Sequence, residues 1–299
     1  IVSRFLPPPQ ALEIAQDRLT QKLLFCKLGI PTPDFAAVSQ AADFDGAIGT
    51  TGLPAVLKTR RWGYDGKGQV VLNDAGETAR AWEILRGAPL ILESLVRFDR
   101  ELSLVSARSI SGETAFYPLA ENHHQHGILR LSLAPAAGLP AQVQLLAESY
   151  AQKLLRELNY VGILTVEFFY RDGMLLANEM ATRVHNSGHW TIEGAETSQF
   201  ENHLRAICGL PLGAPSPRGY SAMVNFIGVM PGTPSLLALP GVHLHVYGKS
   251  ARPGRKLGHA TISATSPELL AARLDPLCAL AGYTARAGAP ARHGDPKGR

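Results

Sequence analysis

The chain has 299 residues, 45% apolar and 18% charged, a balance that excludes a disordered polymer and, with length as the guide, suggests about two domains with room for a buried core. Its 29 Lys and Arg against 25 Asp and Glu leave a dispersed net charge of +4 with no basic stripe and no interleaved aromatics, so small anionic molecules are the expected partners and nucleic acid is not. No run reaches the ~20 apolar residues of a bilayer span, no charged-then-apolar leader opens the chain, and Cys26, Cys208 and Cys278 are too scattered for a disulfide framework or a CxxC hook, so a cytoplasmic protein without membrane contact is expected.

Pro7 to Pro9 give an extended entry, after which apolar residues from Leu12 to Leu28 recur at helical spacing and predict one helix over 10–28, stopped by Gly29. Leu53 to Lys58 and Val70 to Leu72 read as the strands of a hairpin around a glycine-rich loop, Arg61 to Gln69. Strands follow at 90–95, 101–108 and 116–119, a loop holds His123, His124 and His126, and a helix over 142–158 turns Leu145, Leu146, Leu154, Leu155 and Leu158 inward. A second hairpin, 162–170 with 174–179, turns at Arg171 to Gly173. Next come a helix over 197–208, a Pro/Gly-rich linker over 211–219, a small β-unit with strands at 223–228 and 242–247, and a mobile tail over 286–299.

Four groups of residues carry chemistry. Gly63, Gly66 and Gly68 let a backbone approach a ligand closely and aim N–H groups at phosphate oxygens, with Lys58 and Lys67 adding charge; the spacing is neither GxxxxGK[ST] nor GxGxxG. Glu167 and Glu179 sit on apolar strands, near neighbours across the second hairpin. Paired carboxylates there need a proton or a cation, and Mg²⁺ shared with nucleotide phosphates fits both them and the loop; a salt bridge to Arg183 is the alternative. His185 and His189 have zinc-ligand spacing, but Gly188 argues against a helix, and a loop that hydrogen-bonds a polar ligand is the better reading; His243 and His245 read as a polar surface ladder. Lys249, Arg252, Arg255 and Lys256 form a basic turn around Pro253 and Gly254, a fork for phosphate or a solvated surface.

Four segments resemble a known family: Ala15 to Lys22; Gly63-Tyr64-Asp65-Gly66-Lys67-Gly68-Gln69; Asn178-Glu179 through Arg183-Val184-His185-Asn186-Ser187-Gly188-His189-Trp190-Thr191; and Arg252 to His259. In this order, over about 9–282, they are similar to the 5-(carboxyamino)imidazole ribonucleotide synthase family of the ATP-grasp superfamily. The resemblance implies an α/β (α+β) ATP-grasp fold over 21–210, with a lid-type subdomain over about 50–97 and a small β-rich C-terminal domain over 220–285. It implies ATP and bicarbonate as co-substrates, Mg²⁺ or Mn²⁺ as the metal, carboxyphosphate as the intermediate and 5-aminoimidazole ribonucleotide as the acceptor. By position, Arg18 and Lys58 contact the ATP phosphates, the loop Gly63 to Gln69 covers them, Glu93, Ser94, Leu95 and Val96 hold adenine, Glu101 binds ribose, and His124 and Asn178 approach the nucleotide. Glu167 and Glu179 hold the metal. Tyr64, Asp65, Arg183, Lys249 and Arg255 take the ribonucleotide, and Lys58, Arg183, Lys249 and Arg255 are the catalytic set. Thr182 stands where the family usually has proline. Family members open with a Rossmann-like domain, of which residues 1–20 are the expected remnant, and form homodimers through it. The alternatives are another ATP-grasp ligase, an ATP-binding chain without full synthase activity and, more remotely, a zinc module.

Overall fold

A computed structural model describes residues 5–63 and 65–284; Tyr64 and the tail over 286–299 lie outside the described residues. Pro9 opens α1 (Pro9–Ala15), and α2 (Arg18–Lys27) follows, so the single helix expected over 10–28 is two. The break is chemical. Asp17 stays extended and accepts the N–H groups of Leu19 (3.0 Å) and Thr20 (3.4 Å), and this cap outweighs an uninterrupted apolar stripe.

The first sheet is antiparallel, in the order β1-β4-β2-β3, from β1 (Phe35–Val38), β2 (Ala55–Thr59), β3 (Gln69–Leu72) and β4 (Leu90–Ser94). Helices α3 (Phe44–Thr51) and α4 (Thr78–Leu85) cover one of its faces, burying Phe44, Ala47 and Ala81 against Leu57, Leu72 and Leu92. The predicted glycine-rich hairpin is β2–β3, with Lys58 opposite Gln69.

The second sheet has nine strands. β5 (Arg100–Arg108) pairs on one side with β9 (Gly162–Arg171) and on the other with β6 (Thr114–Phe116) and β7 (Ala120–Gln125), so the strand expected at 116–119 is split around Tyr117 to Leu119. His123 and His124 lie within β7, not in a loop; only His126 and Gly127 turn into β8 (Ile128–Ala134). β10 (Met174–Ala181) is the edge beyond β9. Even-numbered residues of β5 and β9, among them Leu104, Leu164 and Val166, pack against α2 and α5 (Ala141–Glu157), whereas Val105, Ala107 and Ile163 face the opposite side with Trp190. Leu154 and Leu155 of α5 point inward as expected, but Leu145 is 62% exposed, because the stripe that meets the sheet runs through Val143, Ala147 and Ala151.

After α6 (Thr191–Gly194) and α7 (Gln199–Ile207), the stretch over 211–219 is not the loose linker that its composition suggests. Asn202 of α7 clamps Gly213, accepting from its N–H at 2.8 Å and donating to its carbonyl at 3.0 Å, and Pro217 bridges to Ala195. The chain then extends the same sheet through β11 (Tyr220–Ile227) and, beyond α8 (Thr233–Leu237), through β12 (Val242–Val246) and β13 (Lys256–Ala264), in the order β8-β11-β13-β12. β13 and the closing helix α9 (Pro267–Leu280), which buries Leu270, Leu274 and Leu277, were not anticipated. Among the described residues no helix is long and apolar enough to cross a membrane.

Candidate active site

A cleft of about 2040 Å³ opens between the glycine-rich hairpin, the β5–β7 face and the β9–β10 hairpin. Its floor depends on a bulge. Phe168 pairs with Ala177, but Glu167 pairs with Glu179, so Asn178 is the extra residue. Without it, Glu179 would follow Leu175 and Ala177 into the core; with it, Glu179 stands beside Glu167 in the cleft and Met180 returns to the core. The expected carboxylate pair is therefore real, and its cross-strand register is that of direct partners.

The two glutamates titrate differently. Burial, reinforced by the neighbouring Glu179, raises Glu167, so the pair favours holding a proton there. Burial also works to raise Glu179, but Arg18, 2.8 Å away, together with Lys58 and His185, keeps it below its ordinary value. His185 Nε2 lies 3.4 Å from Glu167 Oε1. Because the Ser187 backbone N–H donates to His185 Nδ1 at 3.3 Å, the ring carries its proton on Nε2, toward Glu167. Arg183 makes no such bridge; it is exposed at the rim and donates to the carbonyl of Val184.

Lys58, expected at the ATP phosphates, lines the cleft, and a second lysine stands behind it. Lys58 donates to Glu93 Oε2 at 3.0 Å, and Lys22, a wholly buried lysine that sequence reasoning passed over, shares the same oxygen at 3.3 Å. Burial lowers Lys22 to about 8 despite Glu93; burial works against Glu93 too, but the two lysines hold it at about 2. Glu93 thus turns its carboxylate to cations. Ser94 and Leu95 spend their N–H groups on the carbonyls of Asp34 and Pro54, and Val96 packs with Phe98 and Phe169. On the opposite wall His124 Nδ1 meets Glu101 Oε2 at 2.8 Å.

The glycine-rich loop rests on the β7–β8 turn. Gly66 and Gly127 have φ of 75° and 73°, and a Cβ on Gly127 would come within 2.5 Å of Gly66 Cα, so both positions need glycine for backbone shape and for contact. Asp65 is tied across the cleft to Lys256 Nζ at 2.5 Å. Of the basic turn, Lys256 alone lines the cleft: Lys249 lies over the Tyr247 ring at 5.2 Å, and Arg255 binds Ser250. The signal for Lys256 was its place at the start of an unrecognised strand, β13. His185 and His189 do not share a helical face, since a short 3-10 turn over Asn186–Gly188 separates them and each Nδ1 is already engaged, by Ser187 and by Gln199. His245 is no surface-ladder residue; its ring stacks on His259 with centroids 4.4 Å apart, and its Nε2 meets Glu193 at 2.7 Å.

Two family models match the chain, the ATP-grasp domain over residues 23–200 and the phosphoribosylaminoimidazole carboxylase C-terminal domain over residues 221–273. The N5-carboxyaminoimidazole ribonucleotide synthase of Pseudomonas aeruginosa is 54% identical over 268 residues, covering 90% of this chain and 74% of that protein. The chain belongs to the N5-carboxyaminoimidazole ribonucleotide synthase family. The solved synthase of Thermus thermophilus superposes with a TM-score of 0.89 at 52% identity, over 94% of this chain and 76% of that one. The Aspergillus clavatus synthase, solved in complex with ADP and 5-aminoimidazole ribonucleotide, does so with a TM-score of 0.87 at 31% identity, over 94% of this chain and 77% of that one. The chain is thus an ATP-grasp ligase, and the cleft described above is the candidate active site of a synthase of this family.

Proposed function

We propose that the chain carboxylates the 5-amino group of 5-aminoimidazole ribonucleotide, using ATP and bicarbonate through carboxyphosphate. The observation that carries this reading is the Glu167–Glu179 pair, set by the Asn178 bulge in one cleft with Arg18, Lys58 and the glycine-rich loop. Glu167 and Glu179, two hard carboxylates facing each other in the cleft, are the residues that would hold Mg²⁺ or Mn²⁺, a cation there taking the place of the proton that burial otherwise favours on Glu167. Bound there, the ion supplies positive charge to the phosphates.

The chain's own residues do the rest. Arg18 and Lys58 offset charge as a bicarbonate oxygen bonds to the γ-phosphorus and the bond to the β-phosphate oxygen breaks, releasing ADP. The amine nitrogen then takes the carboxyl carbon, phosphate leaves, and one amine proton passes to solvent. The glycine-rich loop, held by Asp65 to Lys256, shields carboxyphosphate from water when it covers the bound nucleotide. Glu101 and His124 face the nucleotide sugar; Asp65, Tyr64 and Arg183 receive the ribonucleotide, its 5′-phosphate falling to Arg183 and Lys256, while Lys249 and Arg255, engaged by Tyr247 and Ser250, stand outside the cleft lining. A homodimer and a cytoplasmic location belong to the same reading.

The test is ADP release by the purified chain with Mg·ATP and bicarbonate, with and without the ribonucleotide. Strong stimulation with formation of the N-carboxy product is expected, and Glu179→Gln should lower kcat by roughly 100-fold or more. ATP turnover indifferent to the ribonucleotide would sink the proposal.

A further inference from the structure

The loop between β10 and α6 carries His185 and Asn186 into the cleft, yet its shape is set from behind by a side chain that the mechanism does not use. Gln199, the first residue of α7, is 0% exposed. The backbone N–H of His185 donates to Gln199 Oε1 at 3.0 Å, and Gln199 Nε2 donates to the His185 carbonyl at 2.7 Å. One partner can only donate and the other can only accept, so the amide fits one way round. Its second N–H then meets His189 Nδ1 at 3.0 Å, which makes that nitrogen an acceptor and leaves the imidazole proton on Nε2. Gln199 is itself anchored: its backbone N–H donates to Thr191 Oγ1 at 3.0 Å, and the Thr191 hydroxyl donates to the Gly188 carbonyl at 2.6 Å. A Cβ on Gly188 would stand 2.7 Å from Gln199 Oε1, so the amide accounts for glycine at 188.

We propose that Gln199 is a positioning residue for the cleft loop: its amide fixes the His185 backbone, and with it the His185 ring against Glu167 and Asn186 in the cleft, and it locks His189 as the neutral Nε2–H tautomer. Burial, followed by the charges of His245 and Lys256, lowers His189 to about 4, which keeps the ring neutral beside the amide. The turnover arm of the test rests on the carboxylation reading; the tautomer arm does not.

The experiment is ¹⁵N-histidine NMR on the full chain, with His189 assigned by its loss in His189→Asn, combined with steady-state kinetics. In the unsubstituted protein at pH 7, His189 Nδ1 should be unprotonated; a proton on Nδ1, or an imidazolium, overturns the proposal without recourse to any variant. Gln199→Glu keeps the shape and the acceptor for the His185 N–H but has no N–H for His189, so the His189 proton should move to Nδ1. Ribonucleotide-stimulated kcat should then fall roughly 10- to 100-fold while KM for ATP stays within about twofold, because the ATP contacts lie on other elements. Unchanged kcat with unchanged His189 resonances overturns it. If the unsubstituted chain shows no ribonucleotide stimulation, the carboxylation reading fails, while the tautomer result still decides the role of Gln199.

Discussion

His124 faces two opposing influences: burial, which would discharge its imidazole, and the carboxylates of Glu101 at 2.8 Å and Glu167 beyond it, which prevail and push it up to about 9 from 6.5. A raised folded value means that the stabilisation is fully present below pH 6.5 and is lost as pH rises through 9. Its ceiling is on the order of 3 kcal/mol. His124→Gln should therefore remove a downward slope in stability between pH 6.5 and 9, measured by urea unfolding across that window; an unaltered slope would refute the assignment. Lys22 gives a second prediction. It and Lys58 share one oxygen of buried Glu93, so Lys22→Met, which leaves the glutamate with one cation, should cost about 3–5 kcal/mol. A loss below about 1 kcal/mol would mean that Lys22 contributes nothing to the pair.

At the scale of elements, the glycine-rich hairpin meets the β7–β8 turn backbone to backbone at Gly66 and Gly127, and this separates two effects of one substitution. Gly127→Ala adds both a left-handed φ penalty and a Cβ 2.5 Å from Gly66 Cα, whereas Gly138→Ala, with φ of 69° and nothing within 4 Å, adds only the penalty, about 1 kcal/mol. Gly127→Ala should thus cost more stability and raise KM for ATP several-fold more than Gly138→Ala, and equal KM values would show that the loop does not seat there. Both hairpins were legible because local turn chemistry announces them: Gly66 and Gly68 in one, Arg171 to Gly173 in the other. The Asn178 bulge was not, since counting back from Arg171 opposite Met174 puts Glu167 opposite Asn178 and nothing local signals the extra residue. The break at Asp17 was hidden under a continuous apolar period, and α9 under two prolines, Pro267 at its first turn, where proline is tolerated, and Pro276 inside it.

At the scale of the whole molecule, composition misled where long-range pairing decides. The Pro/Gly-rich stretch over 211–219 reads as a hinge between units, but the strand after it pairs with β8 from Ser221 opposite Ala134 to Val224 opposite Leu131, a contact that no local pattern announces. Asn225 fastens the junction, donating to the Leu129 carbonyl at 2.9 Å and exchanging amide hydrogen bonds with Asn186 in the cleft loop. Leu131, 1% exposed on β8, belongs to the core that α9 closes, with Phe226, Leu270 and Leu274. The segments matched by the two family models thus share one sheet and one side-chain cluster. Calorimetry should therefore show residues of both segments unfolding in one transition. Leu131→Ala, costing about 2–5 kcal/mol, should move that whole transition down without splitting it. Were the C-terminal strands an independent unit, the same substitution would instead lower an early transition and leave a second one in place, although the cleft loop is joined to β11 by the Asn186–Asn225 amide bonds and by the packing of Trp190 with Met223.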